Sequence, residues 1–147
     1  MSLWAARALP RPDTPSAVTW SWQPRTPADL TAIRRELADA VAKAPVPSVV
    51  DADAVERLLL AFEELASNGV RHGLAPIGVR VVATPEGWLV DVTDGATEHP
   101  PSPAVGRDPG AGGLGLYLIA RLSAGHGWTV ALGRKHVWAC VTCPTVA

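Results

Sequence analysis

The sequence predicts an α+β fold, a two-layer α/β sandwich in which a mostly antiparallel sheet packs on about three helices. Three observations support this class. The predicted elements follow the order strand, helix, helix, hairpin, long loop, helix, hairpin. No βαβ unit or other repeat recurs along the chain, which disfavours a parallel sheet. The length of 147 residues, nearly half of them hydrophobic, fits one domain with a substantial core.

The first part of the chain predicts an arm, a strand and a helix. Residues 1–16 are rich in proline and are expected to form a flexible arm before a single domain, residues 17–147. The segment AVTWSW (17–22) alternates apolar and small polar residues, as a half-buried strand does. A helix follows, with Pro27 in its first turn and Pro45 beyond its end. Its apolar positions are Leu30, Ile33, Leu37, Ala40 and Val41.

A second helix is expected to begin at an N-cap formed by Asp51 or Asp53. It is expected to end at His72, with Gly73 as a natural C-cap. Its apolar residues follow the i, i+3, i+4, i+7 pattern of a core-facing stripe. They are Val55, Leu58, Leu59, Phe62, Leu65, Ala66 and Gly69.

The rest of the chain predicts two hairpins, separated by a long loop and a third helix. The segments 77–84 and 87–94 have strand patterns and are joined by a tight turn. Residues 95–112 are mainly Pro, Gly, Ser and charged residues; so long a loop in a compact domain is usually functional, and we expect a lid. LGLYLIARLSAG (114–125) predicts the third helix, and GWTVALG and HVWACVTC predict the closing strands.

Charge and composition argue against several classes of protein. The formal net charge is −1 and no Lys/Arg run reaches five, so no nucleic-acid partner is expected. No apolar stretch is long enough to span a bilayer, and arginine and prolines interrupt the N-terminal segment where a signal peptide needs apolar residues. We therefore expect a cytoplasmic protein without a membrane partner. The CxxC formed by Cys140 and Cys143 lacks a second ligand pair for zinc and predicts two reduced cysteines in a strand.

Polar side chains form a column near the end of the second helix. Glu64 and Asn68 are one turn apart, His72 follows one turn later, and Arg71 lies beside it. Each residue taken singly fits a solvated helix face. Together they also suit phosphoryl transfer, because an amide oxygen can bind Mg²⁺, a carboxylate can orient or deprotonate a hydroxyl, and a guanidinium can pair with phosphate.

Two further features suggest a nucleotide site. Residues 110–115 match G-x-G-x-x-G, but no strand precedes them and no acidic residue follows, which excludes a dinucleotide-binding fold. Glycines that open a helix still form an anion site, because backbone N–H groups point at the ligand. Asp94 ends a strand. Its carboxylate either accepts a hydrogen bond from an adenine amino group or stabilises a turn that Asp94 forms with Gly95.

In combination these motifs resemble the GHKL ATPase superfamily over residues 17–143. The motifs are Glu64-x-x-x-Asn68, Asp94 after a strand, the lid at 95–112, and Gly113-x-Gly115 opening a helix. Within that superfamily the chain is most similar to small stand-alone ATP-binding regulators of the anti-sigma-factor serine kinase type. The resemblance implies a Bergerat-type ATP-binding fold, with ATP and Mg²⁺ as cofactors.

The resemblance also implies a role for individual residues. Asn68 corresponds to the magnesium-binding asparagine, Glu64 to the catalytic carboxylate, and Asp94 to the aspartate that recognises the adenine amino group. The other implied ATP-binding residues are Arg71, His72, Gly112, Gly113 and Gly115. One motif departs from the family, because its Asp-x-Gly-x-Gly box is Asp94-Gly95-Ala96-Thr97-Glu98 here.

By resemblance, the protein phosphorylates an anti-anti-sigma protein of the STAS type on Ser or Thr, sequesters a sigma factor, and forms a homodimer. A histidine kinase is not expected, since the first helix contains no histidine that could accept the phosphoryl group. Two alternatives stay open. The first is a non-catalytic module that binds a partner when ATP orders the lid. The second is a scaffold that binds no nucleotide.

Overall fold

The computed structural model describes residues 4–10, 17–48, 50–101 and 114–143. These ranges contain a five-stranded sheet and three helices. The elements are β1 (Val18–Trp22), α1 (Pro27–Lys43), α2 (Ala52–His72), β2 (Gly78–Thr84), β3 (Gly87–Asp94), α3 (Leu114–Leu122), β4 (Gly125–Ala131) and β5 (Arg134–Thr142). The strand order is β1-β2-β3-β5-β4, and each neighbouring pair is antiparallel. The predicted two-layer α+β sandwich is confirmed.

Helix α1 begins with the local signals that its sequence carries. Thr26 is the N-cap, and its hydroxyl accepts from the backbone N–H of Asp29. The Asp29 carboxylate accepts in turn from the Thr26 N–H at 3.0 Å, which completes a capping box. The buried residues of α1 are Leu30, Ile33, Leu37 and Val41, as predicted, while Ala40 is half-buried.

Helix α2 is the central element of the helical layer. Asp51 is its N-cap and accepts from the Asp53 N–H at 2.7 Å, so the first of the two predicted caps is confirmed. The helix packs against α1, α3, β3 and β5. It approaches the sheet closely at Gly69, where a Cβ atom would lie 2.9 Å from Val92 Cγ1. This contact explains a glycine inside the apolar stripe, which otherwise lowers helix stability.

The sheet buries its two faces differently. The face toward the helices carries the main core, including Val81, Val90 and Ala139. The opposite face has a smaller apolar cluster, formed by Val82, Leu89 and Trp138 with Leu9 and Ala17 packed against it. On that same side Asp91 is buried between Arg80 Nη2, at 3.3 Å, and His136 Nδ1, at 3.0 Å. Because side chains alternate along a strand, the sheet separates this polar group from α2.

Part of the predicted N-terminal arm is attached to the domain. Trp4 is 1 % exposed, and its indole Nε1 donates to the carbonyl of Leu116 at 3.1 Å. The backbone of residues 5–7 pairs with Trp128 on the free edge of β4. The flexible-arm prediction for residues 1–16 as a whole stays untested, since 1–3 and 11–16 lie outside the described residues.

Both cysteines are free. Cys140 packs against the smaller apolar cluster and Cys143 belongs to the main core, so the two thiols lie on opposite sides of the sheet. No disulfide joins them, and Cys140 lies in β5 as predicted, whereas Cys143 follows the end of that strand at Thr142. No helix in the described ranges has the length and apolar character needed to cross a membrane.

Candidate functional site

The polar column predicted on α2 lies outside the core. Glu64 and Asn68 are half-buried, whereas Arg71 and His72 in the last turn are exposed. The buried stripe of the helix, which includes Leu65 and Ala66, faces elsewhere. Column and stripe therefore occupy different faces, as the spacing of the residues predicts.

Glu64 lies at the first turn of α3. A Cβ atom on Gly115, the second residue of α3, would lie 2.7 Å from Glu64 Cγ and would overlap the carboxylate itself. Only a residue without a side chain fits at that position while Glu64 keeps its place. Two predicted site residues, one from the α2 column and one from the glycine box, are thus brought into direct contact.

The surroundings of Glu64 alter its acidity. Burial raises the pKa of this carboxyl above its ordinary value of 4.5, and the charge of Glu63 raises it further, while the charge of Arg71 lowers it. A raised pKa brings a carboxylate closer to the operating pH, where it transfers protons more efficiently. The environment of Glu64 therefore suits a general base better than that of a fully solvated carboxylate.

The raised pKa of Glu64 predicts a pH-dependent effect of Glu64→Gln on stability. Because the folded protein binds this proton more tightly than the unfolded chain, the protonated carboxyl contributes stability below pH 4.5, and this stability is lost as the pH rises through the folded-state pKa. Glutamine resembles the protonated form at every pH. We expect the variant to be more stable than the wild type at neutral pH and equal to it at about pH 4. Urea unfolding at both pH values measures this, and an equal difference at both would contradict it.

The other end of α2 lies against Asp94. Gly73 is the C-cap, as predicted, but it has an extended backbone with φ −80°. Its glycine identity follows from crowding, because a Cβ atom would lie 2.6 Å from the carbonyl oxygen of Gly69 and 2.7 Å from Asp94 Cγ. Gly73 follows Glu64 by nine positions, or about 13.5 Å along the helix axis. One helix thus borders both the predicted catalytic carboxylate and the predicted adenine-binding aspartate.

Asp94 is held by backbone donors. It is 2 % exposed, and its Oδ1 accepts from the N–H of Ala96 at 2.6 Å and of Leu74 at 3.4 Å. Ala96 stands where the family motif has its first glycine, yet its φ is not positive and its N–H still serves the carboxylate. The missing glycine therefore does not prevent this turn from forming.

Lys135 is a site residue that the sequence analysis missed. It lies directly opposite Asp94 in the β3–β5 register, and its Nζ is 3.4 Å from Asp94 Oδ2. The same Nζ donates to the carbonyl of His99 at 2.9 Å, and Lys135 is 4 % exposed. The alternation of side chains along β5 could have identified it. Lys135 lies two positions before Val137 and therefore on the same, core-facing side of the strand, where a lysine is unusual.

Several predicted site features lie outside the described residues. These are Gly112, Gly113 and residues 102–112 of the predicted lid. Within the described ranges, no group of three or more His, Cys, Asp or Glu side chains is placed to hold a metal ion. The Asn68 amide is a different kind of ligand, and its role toward magnesium stays a prediction, as do the phosphate contacts of Arg71 and His72.

Comparison with known protein families shows what this chain is similar to. A family model described as "Histidine kinase-like ATPase domain" matches residues 23–140, which run from the end of β1 into β5. The match therefore includes α2, Asp94, the glycine box and Lys135. A search of curated proteins finds no match.

Proposed function

This chain belongs to the histidine kinase-like ATPase domain family, and on that premise we propose that it binds Mg-ATP along α2 and transfers the γ-phosphoryl group to a serine or threonine of a partner protein. The partner class is an anti-anti-sigma protein of the STAS type, and a sigma factor is the protein that the kinase sequesters. Both partners follow from the resemblance of the motifs to anti-sigma-factor kinases.

The observation that carries the proposal is the double contact of α2. Its Glu64 lies against the first turn of α3 at Gly115, and its C-cap Gly73 lies against Asp94. Backbone N–H groups at a helix N-terminus attract phosphate, and a buried carboxylate at a strand end can accept from a base. Both contacts lie along the same helix, so one ligand bound along α2 can reach the Asp94 contact and the α3 contact.

The residues divide the chemistry between them. Asp94 accepts a hydrogen bond from the purine, and Asn68 offers an uncharged oxygen to magnesium. Magnesium, when bound with ATP, offsets the negative charge of the phosphates. Glu64 orients the attacking hydroxyl and accepts its proton, which its raised pKa favours. The exposed Arg71, close enough to lower the pKa of Glu64, can pair with phosphate oxygens.

A second candidate is a non-catalytic module that uses ATP only to control partner binding. The observation that favours it is the Asp94–Lys135 pair, since the buried ammonium lies beside the carboxylate oxygen that a base would contact. Measuring phosphate transfer to the partner protein distinguishes the kinase from the non-catalytic module. ATP-dependent partner binding without any transfer would support the module and exclude the kinase.

Calorimetric titration with ATP, with and without Mg²⁺, tests the nucleotide site. We expect binding that depends on magnesium, and Asn68→Ala is expected to weaken Mg-ATP binding by about tenfold or more, because a metal–oxygen contact is lost. Thr31→Ala is the control, since it removes an exposed polar side chain from α1. An unchanged affinity for Mg-ATP in Asn68→Ala would show that Asn68 of α2 does not bind the magnesium ion. No heat and no thermal stabilisation of the wild type at millimolar ATP would favour the scaffold that binds no nucleotide.

A further inference from the structure

The pair formed by Asp94 and Lys135 has both a hydrogen-bond acceptor and a donor. Oδ1 of Asp94 is taken by two backbone N–H groups, which leaves Oδ2 as the oxygen available to a base. Lys135 Nζ lies 3.4 Å from that Oδ2, and antiparallel pairing keeps the two residues opposite each other. An ammonium group has three N–H donors. Asp94 and His99 engage two of them within the described ranges, so one donor is left for a ligand.

This arrangement bears on which purine the site accepts. Adenine presents an amino group at C6, which donates to a carboxylate, and an acceptor at N1. Hypoxanthine and guanine present a carbonyl oxygen at C6 and an N–H at N1. A carboxylate without a neighbouring donor favours adenine, whose amino group donates to it. The C6 oxygen of hypoxanthine or guanine would instead face the carboxylate oxygen with no hydrogen between the two acceptors. A carboxylate beside an ammonium can serve both kinds of purine, since the ammonium donates to O6 and the carboxylate accepts from N1–H.

We propose that Lys135 is a specificity-determining residue that makes this base site tolerant of 6-oxopurines, so that ITP and GTP bind where ATP binds. The inference rests on the proposed nucleotide site at α2 and Asp94. Burial supports this role of Lys135. Asp94 and Lys135 are 2 % and 4 % exposed, and water weakens a hydrogen bond little in such surroundings. The register of β3 and β5 holds both groups in place before any ligand arrives.

The test compares the affinities of ATP and ITP, which differ only in the groups at C6 and N1 of the base. For the wild type we expect ITP to bind within about tenfold of ATP. Lys135→Met, which replaces the ammonium with an apolar group of similar length, is expected to weaken ITP by about tenfold or more and ATP by less than about threefold, since only ITP loses a hydrogen bond to a charged group. Lys135→Arg retains a cationic donor and is expected to restore ITP binding in part. Lys43→Met, an exposed lysine at the end of α1, is the matched control.

The outcomes are distinguishable. If ATP binds and ITP is more than about a hundredfold weaker in the wild type, the inference is wrong while the ATP site stands. An unchanged ratio of the two affinities in Lys135→Met would also overturn it. If the wild type binds neither nucleotide, both this inference and the proposed function are wrong. Thermal melting of each variant establishes that it is folded, and the wild-type comparison decides the question even if both substitutions prevent folding.

Discussion

Glu64→Gln is expected to reduce phosphoryl transfer to a candidate anti-anti-sigma protein by about 10²–10⁴-fold. Glutamine keeps the shape of the side chain beside Gly115 but cannot accept the proton of the attacking hydroxyl. Affinity for Mg-ATP should change by less than about threefold, because the assigned ligand contacts come from Asn68, Asp94 and the helix N-terminus. Transfer is measured as radioactive phosphate on the acceptor, and affinity by calorimetry on the same preparations.

Glu63→Gln is the control that matches this substitution in chemistry and position. Glu63 is exposed, and its only ion pair within the described residues is with Arg34, at 3.7 Å and half-exposed on both sides. Its replacement should leave transfer nearly unchanged, although it removes a charge that raises the pKa of Glu64. Equal losses in the two variants would mean that negative charge on this face matters and that Glu64 has no individual catalytic role.

Asp94→Ala is expected to lower the free energy of unfolding by about 3–5 kcal/mol. The substitution leaves the ammonium of Lys135 buried beside no carboxylate, and it removes the acceptor for the N–H groups of Ala96 and Leu74. Breaking one half of a buried ion pair costs more than replacing both halves. Urea unfolding of the wild type and the variant measures the change directly.

A double-mutant cycle separates the buried charge from the lost hydrogen bonds. We expect Asp94→Ala combined with Lys135→Met to be less destabilising than the sum of the two single changes, because the unpaired ammonium is gone. Asp39→Ala, an exposed carboxylate on α1, should change stability little. Strict additivity would show that Asp94 and Lys135 do not interact. The cycle also determines how any loss of ATP binding in Asp94→Ala is interpreted, since an unfolded variant binds nothing.

Local features of the fold followed from the sequence because their causes are local. The N-cap Asp51 and the end of α2 at His72 depend on a few neighbouring residues. The same holds for the strand patterns of β2 and β3, whose register as a hairpin follows from the short turn between them. Small differences occur where one element ends close to the next, as where α3 ends at Leu122 and β4 already begins at Gly125.

The packing of the N-terminal arm and the crowding at glycines were not predictable in this way. Trp4 is buried, and its indole donates a hydrogen bond to the carbonyl of Leu116, which is distant along the chain. Gly73 was predicted as a C-cap, but its backbone is extended, and the space for a side chain is taken by the Gly69 carbonyl oxygen and by Asp94, which is distant along the chain. The proline content of the arm and the position of Gly73 at a helix end are local features of the sequence. They carry no information on which distant residues the arm or the glycine contacts.

The order of residues along the chain predicted the helices and strands, the core-facing stripe of α2, and the grouping of Glu64 and Asn68 on one helical face. It did so because backbone periodicity assigns each side chain to a face within its own element. The contact of Glu64 with the first turn of α3 and the position of Lys135 beside Asp94 are seen only in the folded protein. Those contacts depend on helix packing and on the pairing of β3 with β5, which join segments far apart along the chain.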